Sequence, residues 1–464
     1  MAKKTLKEKL DGINEYEREP VPKDKVKGFK SFVGMVAGEH IAGTEFVIGP
    51  MFVAYGVSAS DLLWGLLIGN LLAVLSWTFV CAPIATKTRI TIFYHLEKIS
   101  GFKLVTFYNV VNGLLFAFVA ASMIGVSATA VGIPFNIDMP KLNEILPTGP
   151  GWVITVLIIG SVITVVSMFG YDQVSKFANI FAPWMPLIFL GGAIAVLPGL
   201  GVTKFSEFWP VAQEKIWTGV PMAGQIKFTM WHVVAFAWLC NGGMHLGLSD
   251  TSIYRYAKKP IYGLASAAGM FIGHGMAWLA SGILCAAALG VTTPGPIAYG
   301  SMGLAGALCV VVAGWTTANP TMYRAGLAIQ GVLPNLKRWK ITLIIGIVVS
   351  LLACFPGVVT RLMEFIAFYA LLAVPVGAVV FADVYFIPKL GLKQNYAEFS
   401  GTSFSWIVGL TWVLSFAIAK ALDIYFQIDG LEFFLAIPGW FASVAIYITL
   451  NYFFQNKQLK TAYQ

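Results

Sequence analysis

The feature that most constrains this chain is a succession of apolar runs, each near the roughly 20 residues that a helix needs to cross a bilayer. They lie at about Phe32–Tyr55, Asp61–Ala85, Lys103–Val131, Trp152–Met168 and Val174–Leu197. A second set follows at Phe228–Leu248, Ile261–Leu289, Tyr299–Leu333, Ile341–Phe355 and Val359–Ile387, and two more at Ser405–Ala421 and Leu431–Phe454. Twelve such runs leave no room for a soluble domain. Of 464 residues, 58% are hydrophobic and 11% charged, against about 25% charged in soluble domains. An all-α membrane protein, one helical bundle of twelve spans, is therefore predicted.

The net charge of +9 reads as topology, not as a nucleic-acid surface. Nine of the first thirty residues are Lys or Arg, and the remaining charges gather between apolar runs. With the N-terminus inside, roughly 25 of the 31 basic residues fall on the cytoplasmic side, a strong positive-inside bias. Both termini are then cytoplasmic, in a multi-pass protein of the cell membrane. The segment before Phe32 is too polar for a cleaved signal peptide. Five cysteines sit inside apolar runs without a CxxC pair, so neither a disulfide framework nor a metal site is implied.

The organisation that follows is a leader (1–31), spans one to five (32–197), an extracellular loop (198–227), spans six to ten (228–387), spans eleven and twelve (388–454) and a tail (455–464). Span one carries Gly38-Glu39-His40-Ile41-Ala42-Gly43-Thr44-Glu45 at its centre. An ionised group there costs roughly 2.5–3.5 kcal/mol even on a lenient insertion scale, and paired glycines weaken the helix. A broken helix lining a cavity is expected, with Glu39 and His40 as substrate-binding candidates. The plainer alternative is that these two satisfy each other. Span six repeats the pattern in Cys240-Asn241-Gly242-Gly243-Met244-His245. Interrupted segments in corresponding places of two halves point to a transporter of inverted repeats, its site near the midplane. Asn241 and His245, four apart, would share a helix face and either bind substrate or bridge helices. His232 and His274, alone on apolar spans, read as satisfied core histidines.

Span eight holds Ala313-Gly314-Trp315-Thr316-Thr317-Ala318-Asn319-Pro320. Two adjacent hydroxyls, with carbonyls freed at a helix break, suit a small hard cation. The alternative is bonding of each threonine to its own helix backbone. Asn319, on the face of Trp315, offers both a donor and an acceptor to a ligand's edge.

The chain resembles the nucleobase:cation symporter-1 family and, within it, is most similar to bacterial cytosine permeases. The resemblance rests on the order of several motifs. These are Glu19-Pro20-Val21-Pro22, Gly56-Val57-Ser58 with Asp61 and Leu67-Ile68-Gly69-Asn70-Leu71-Leu72, then Ala85-Thr86-Lys87-Thr88 and Tyr254-Arg255-Tyr256-Ala257. Trp315-Thr316-Thr317 and Pro375-Val376-Gly377-Ala378 with Ala382-Asp383 complete them. It implies a five-plus-five inverted repeat of the LeuT type plus two helices, and symport by alternating access. It also implies a sodium ion held by the carbonyls of Gly38, Ile41 and Ala313 and the hydroxyls of Thr316 and Thr317, with a proton as the alternative coupling ion. Where cytosine permeases place an aromatic pair, this chain has Asn109 and Asn112 in span three and Gly243 and His245 in span six. Tyr108, Phe116 and Trp238 are possible substitutes for the missing rings.

The expected substrate is a small nitrogen heterocycle, such as a nucleobase or hydroxymethylpyrimidine, bound by Glu39, His40, Asn109, Asn112, Asn241, His245, Trp315 and Asn319. A non-aromatic solute carried with protons is the nearest alternative. A non-transporting membrane sensor is disfavoured because the loops and tail are short. A membrane-embedded enzyme is disfavoured because no nucleophile, HExxH or paired-aspartate signature accompanies the acidic residues. The remaining partner is the lipid bilayer, with a monomer or weak homo-oligomer expected. Arg361 and Glu364 read as a helix-surface pair, and Asp383 as meeting a loop cation or water.

Overall fold

A computed structural model describes residues 5–140, 144–288, 293–427 and 432–462. Among these the chain is helical and contains no strand. Leu289 and Leu431, expected span ends, lie outside the described residues, as do the side chains of Glu364, Lys457 and Lys460. The helices are α1 (Lys30–His40) and α2 (Glu45–Ala54), which form span one, then α3 (Ala59–Thr88), α4 (Ile92–Ser100), α5 (Phe102–Val131), α6 (Pro150–Met168) and α7 (Tyr171–Leu200). Span six is α8 (Met230–Leu239) with α9 (Gly242–His245). The rest are α10 (Pro260–Ala287), α11 (Pro294–Val332), α12 (Arg338–Ala353), α13 (Leu362–Tyr385), α14 (Trp406–Phe426) and α15 (Ala436–Ala462).

Among the described residues nine helices are long and apolar enough to cross a membrane. The three expected spans outside that set each have a physical reason. Spans one and six are broken into short helices, and α12 has only 16 residues. α8 packs on α3, α2 on α10, and α5 on α11.

Local chemistry explains the irregular turns. Pro83 has no N–H and would crowd the carbonyl four residues back, and the helix before it widens into a π turn at Trp77–Cys81. Such bulges re-aim side chains, and here Trp77 points into the interior. A second π stretch, Ala268–Gly275, carries His274. The long α11 bends at Gly303, whose φ of 58° needs no Cβ.

The leader is part of the fold. Glu15, 5% exposed, accepts from the Tyr171 backbone N–H (3.0 Å) and from the hydroxyls of Tyr256 (2.9 Å) and Tyr323 (2.8 Å). Buried Arg255 donates to the carbonyls of Glu15 (2.6 Å) and Tyr16 (2.7 Å). The segment after span six, α7 and α11 are thereby tied to one leader residue. Asp383 is held by the Asn395 backbone N–H (3.1 Å) and the Tyr447 hydroxyl (2.8 Å), which replaces the expected loop cation.

α4, between spans, makes stability depend on pH. His95 on it is 4% exposed, and burial, helped by the charges of Lys98 and Lys87, pulls its pKa from 6.5 to about 4. Between those values the unfolded chain binds a proton that the folded chain does not. Stability therefore falls as pH drops through that window, by up to about 3 kcal/mol. Melting temperatures at pH 7 and 4.5 should show a smaller difference for His95→Leu than for the parent; an unchanged difference would assign the acid sensitivity elsewhere.

Candidate functional site: two helix breaks and a buried ion triad

α1 ends at His40, and Ile41 leaves helical geometry at φ −106°, ψ 63°. The residues up to Thr44 make a non-helical crossing before α2. In span six, Asn241 (φ −106°, ψ 19°) separates α8 from α9. The helix does not persist through Asn241, so the expected shared face with His245 does not form. Both predicted breaks are present.

Glu39 meets neither His40 nor open space. Arg324 of α11 grips it with both terminal nitrogens, Nη1 on Oε1 and Nη2 on Oε2 at 3.0 Å. The same guanidinium donates from Nε (3.0 Å) and Nη2 (2.5 Å) to Asp250 Oδ1, and Trp77 Nε1 donates to Asp250 Oδ2 at 2.7 Å. Arg324 is 0%, Asp250 2% and Glu39 4% exposed. Such a fork geometry is what holds an ion pair out of water. Two carboxylates share one guanidinium, so α1 and the turn after α9 are fastened to α11 by a single charge. Glu39, expected as a substrate-binding candidate or as the partner of His40, is thus paired with Arg324.

Beside the triad lies a buried polar cluster contributed by α1, α2, α3, α10 and the span-six break. His40 and His274 are 5.0 Å apart by ring centroids, His274 stacks on Trp278 at 4.3 Å, and Trp77 lies 4.5 Å from His245. Glu45 accepts from Trp278 Nε1, and its other oxygen is 3.9 Å from His274 Nε2. Asn241 Nδ2 stands 3.5 Å from the same nitrogen. His40 Nδ1 lies 2.7 Å from the Val36 carbonyl and His245 Nε2 2.9 Å from that of Trp238. A carbonyl can only accept, which assigns those nitrogens as the N–H donors and leaves His40 Nε2 and His245 Nδ1 as acceptors. Among the described residues neither has a hydrogen-bond partner, nor do His274 Nδ1 and both ends of the Asn70 amide. His274 is thus a member of this cluster and not a satisfied core residue. His232 is bonded, with Thr229 Oγ1 at 2.9 Å. Among the described residues no group of three or more His, Cys, Asp or Glu is placed to hold a metal ion.

The threonines expected at a cation site donate to main-chain carbonyls. Thr316 and Thr317 each donate to the Ala313 carbonyl at 3.1 Å, and Thr317 also reaches the Glu39 carbonyl at 2.9 Å. Glu39, next to the expected Gly38, supplies the α1 carbonyl that accepts from Thr317. Gly38 instead lets α1 approach α7, where a Cβ would meet that of Ala178 at 3.2 Å. Pro320 cannot bond to the Thr316 carbonyl, which frees a further oxygen.

Other candidates lie elsewhere. With its amide oriented to suit its neighbours, Asn319 donates to Ser167 Oγ (3.0 Å) and the Ile163 carbonyl (3.1 Å) and accepts from Trp315 Nε1 (2.9 Å). Trp315 packs on Phe177 at 4.5 Å. Both belong to the α6–α11 seam, because the helix turns that face away from the breaks. Asn109 is buried against α11 at Gly331, and Asn112 faces a separate cavity. Phe116 lies between the Arg324 guanidinium, 5.8 Å away, and Tyr369, 5.6 Å away. Trp238 donates to Ser76 Oγ. No aromatic sandwich is formed by these rings.

No family model matches this chain, and no curated protein sequence does. Solved structures do. Mhp1, a nucleobase-cation-symport-1 family transporter in a closed conformation with bromovinylhydantoin bound, superposes with TM-score 0.72 at 14% identity over 94% of each chain. Its inward-facing conformation gives 0.71 at 13% identity, over 95% of this chain and 93% of that one. A Na+-coupled sialic acid symporter in a substrate-bound outward-open state gives 0.64 at 14% identity, over 94% and 91%. This chain therefore has the LeuT-type fold that Mhp1 and the sialic acid symporter share, with its two helix breaks in spans one and six.

Proposed function

We propose that this protein is a secondary transporter of the nucleobase:cation symporter-1 kind, importing a small nitrogen heterocycle together with sodium. The observation that carries the reading is the Thr317 hydroxyl, which spans the Ala313 carbonyl of α11 and the Glu39 carbonyl at the end of α1. Hydroxyl and carbonyl oxygens are the ligands a hard cation takes. A sodium ion there would replace hydrogen bonds between the two elements with its own coordination. It would thereby favour the arrangement in which α1 lies against α11.

The heterocycle would be read by the polar cluster beside the triad. His40 Nε2 and His245 Nδ1 are acceptors without partners among the described residues, complementary to the N–H edge of a nucleobase or related ring, and Asn70 offers both a donor and an acceptor. Arg324, Glu39 and Asp250 would then act as the clamp that positions the breaks, not as direct ligands. The fold shared with Mhp1 and the sialic acid symporter supports transport by alternating access.

A second reading, proton coupling, is favoured by Glu45. Among the described residues its one ion-pair partner is His274, so this carboxylate could gain and lose a proton with the transport cycle.

A thermal-shift screen of the purified protein against pyrimidines, purines and hydantoins, with and without sodium, tests both readings. A ligand at about 100 times its dissociation constant should stabilise the protein by about 2.7 kcal/mol. The expected result is one heterocycle class whose shift is larger in sodium than in potassium. Shifts indifferent to sodium but dependent on pH would favour the proton; no heterocycle shift in any salt would count against the substrate class.

A further inference from the structure

A cavity of about 520 Å³ opens between α5, α13 and α14, apart from the helix breaks. Its size falls within the roughly 300–1,000 Å³ of pockets that hold one small organic molecule. None of the described residues lining it is charged, and most are apolar. At its mouth Phe107, Val413 and Trp406 are 67%, 65% and 79% exposed. They stand on helices apolar enough to cross a membrane or, in the case of Trp406, at the start of one. The opening therefore faces hydrocarbon and not water.

The interior is not simply greasy. Among the described residues, four polar atoms on its lining residues are buried without a hydrogen-bond partner: the Tyr108 hydroxyl, Trp412 Nε1, and both Nδ2 and Oδ1 of Asn112. Asn112 is 1% exposed and Tyr108 7%. Buried polar groups are almost always bonded, and leaving four unmatched on residues around one apolar space is unfavourable. Water is poorly suited to fill the space, because its entrance lies in lipid. A phospholipid is poorly suited too, because nothing in the lining would meet its phosphate.

We propose that this cavity is a binding site for an uncharged single-chain amphiphile drawn from the bilayer, of the monoacylglycerol class. Its hydroxyls would give and take hydrogen bonds with Asn112, Tyr108 and Trp412. Its chain would run out past Phe107 and Val413. Tyr369 also packs against Gly243 of α9, where a Cβ would lie 2.8 Å from its hydroxyl oxygen, so an occupant touches a residue that borders the span-six break. The site is independent of which solute the protein carries.

The test uses the full chain in phosphatidylcholine nanodiscs with a monoacylglycerol bearing a photoreactive group in its chain. After irradiation, labelled residues are mapped by mass spectrometry. The site predicts saturable labelling concentrated at 104–115 and 404–416 that excess unlabelled monoacylglycerol removes. Asn112→Leu should weaken the probe by about tenfold, the equivalent of roughly one hydrogen bond. If that variant melts early, Trp412→Phe, which removes a single donor, should give a smaller loss in the same direction. Labelling spread evenly over lipid-facing helices and not competed would mean annular lipid only and would overturn the proposal. Displacement of the probe by a nucleobase, with none by monoacylglycerol, would also overturn it and assign the cavity to a heterocycle.

Discussion

Replacing Arg324 with methionine is expected to destabilise the protein by about 3–5 kcal/mol, the effect of breaking a buried ion pair. The guanidinium is fully buried and is the ion-pair partner of both Glu39 and Asp250. Without it two carboxylates are left facing each other with only Trp77 Nε1 and local dipoles for support. Asp250→Asn should be far milder, because it leaves one carboxylate against one guanidinium. A triple change, Arg324→Met with Glu39→Gln and Asp250→Asn, should recover much of the stability, since removing all the charges removes the unpaired ones. Melting curves in one detergent measure all three. If Arg324→Met melts like the parent, the triad does not fasten α1 and span six to α11.

The second large effect is expected from Thr316→Ala combined with Thr317→Ala. The pair should lose sodium stimulation of binding, with the apparent sodium affinity falling by tenfold or more, about 1.4 kcal/mol or above. The melting temperature in sodium-free buffer should change little, since each hydroxyl bonds mainly to backbone carbonyls. Serine at both positions keeps the hydroxyls and should keep the sodium response. A double-alanine protein with the parent's sodium dependence would remove these threonines from the cation site and turn attention to Glu45 and His274.

Much of the fold was legible because lipid is a strict solvent. It forces twelve apolar runs into helices, and the two glycine-rich polar stretches announce where helices fail. The ion triad was less legible, though a signal existed: Arg324 is a charge inside the eighth apolar run, and the same cost that singled out Glu39 demands an acidic partner for it. Asp250 lies two residues beyond the sixth run, and only the broken span brings it inward to Arg324 and Trp77. Asn319 and Trp315 show the limit of spacing arguments. Four residues apart they do share a face, but spacing cannot say which neighbour that face meets, and it meets α6. His274 was misread for a similar reason, since the π stretch that turns it toward His40 leaves no periodic trace. The buried role of Glu15 was hidden because its three main partners are distant in sequence.

In the proposed cycle, movement of a heterocycle is coupled to a cation held between α1 and α11. Uptake of a radiolabelled nucleobase panel into proteoliposomes, under an imposed inward sodium gradient with no membrane potential, tests it most directly. The expected result is accumulation above the outside concentration for one member of the panel, abolished when sodium is equal on both sides and in the double-alanine variant. Equal uptake with and without the gradient, or accumulation driven by a proton gradient alone, would contradict it.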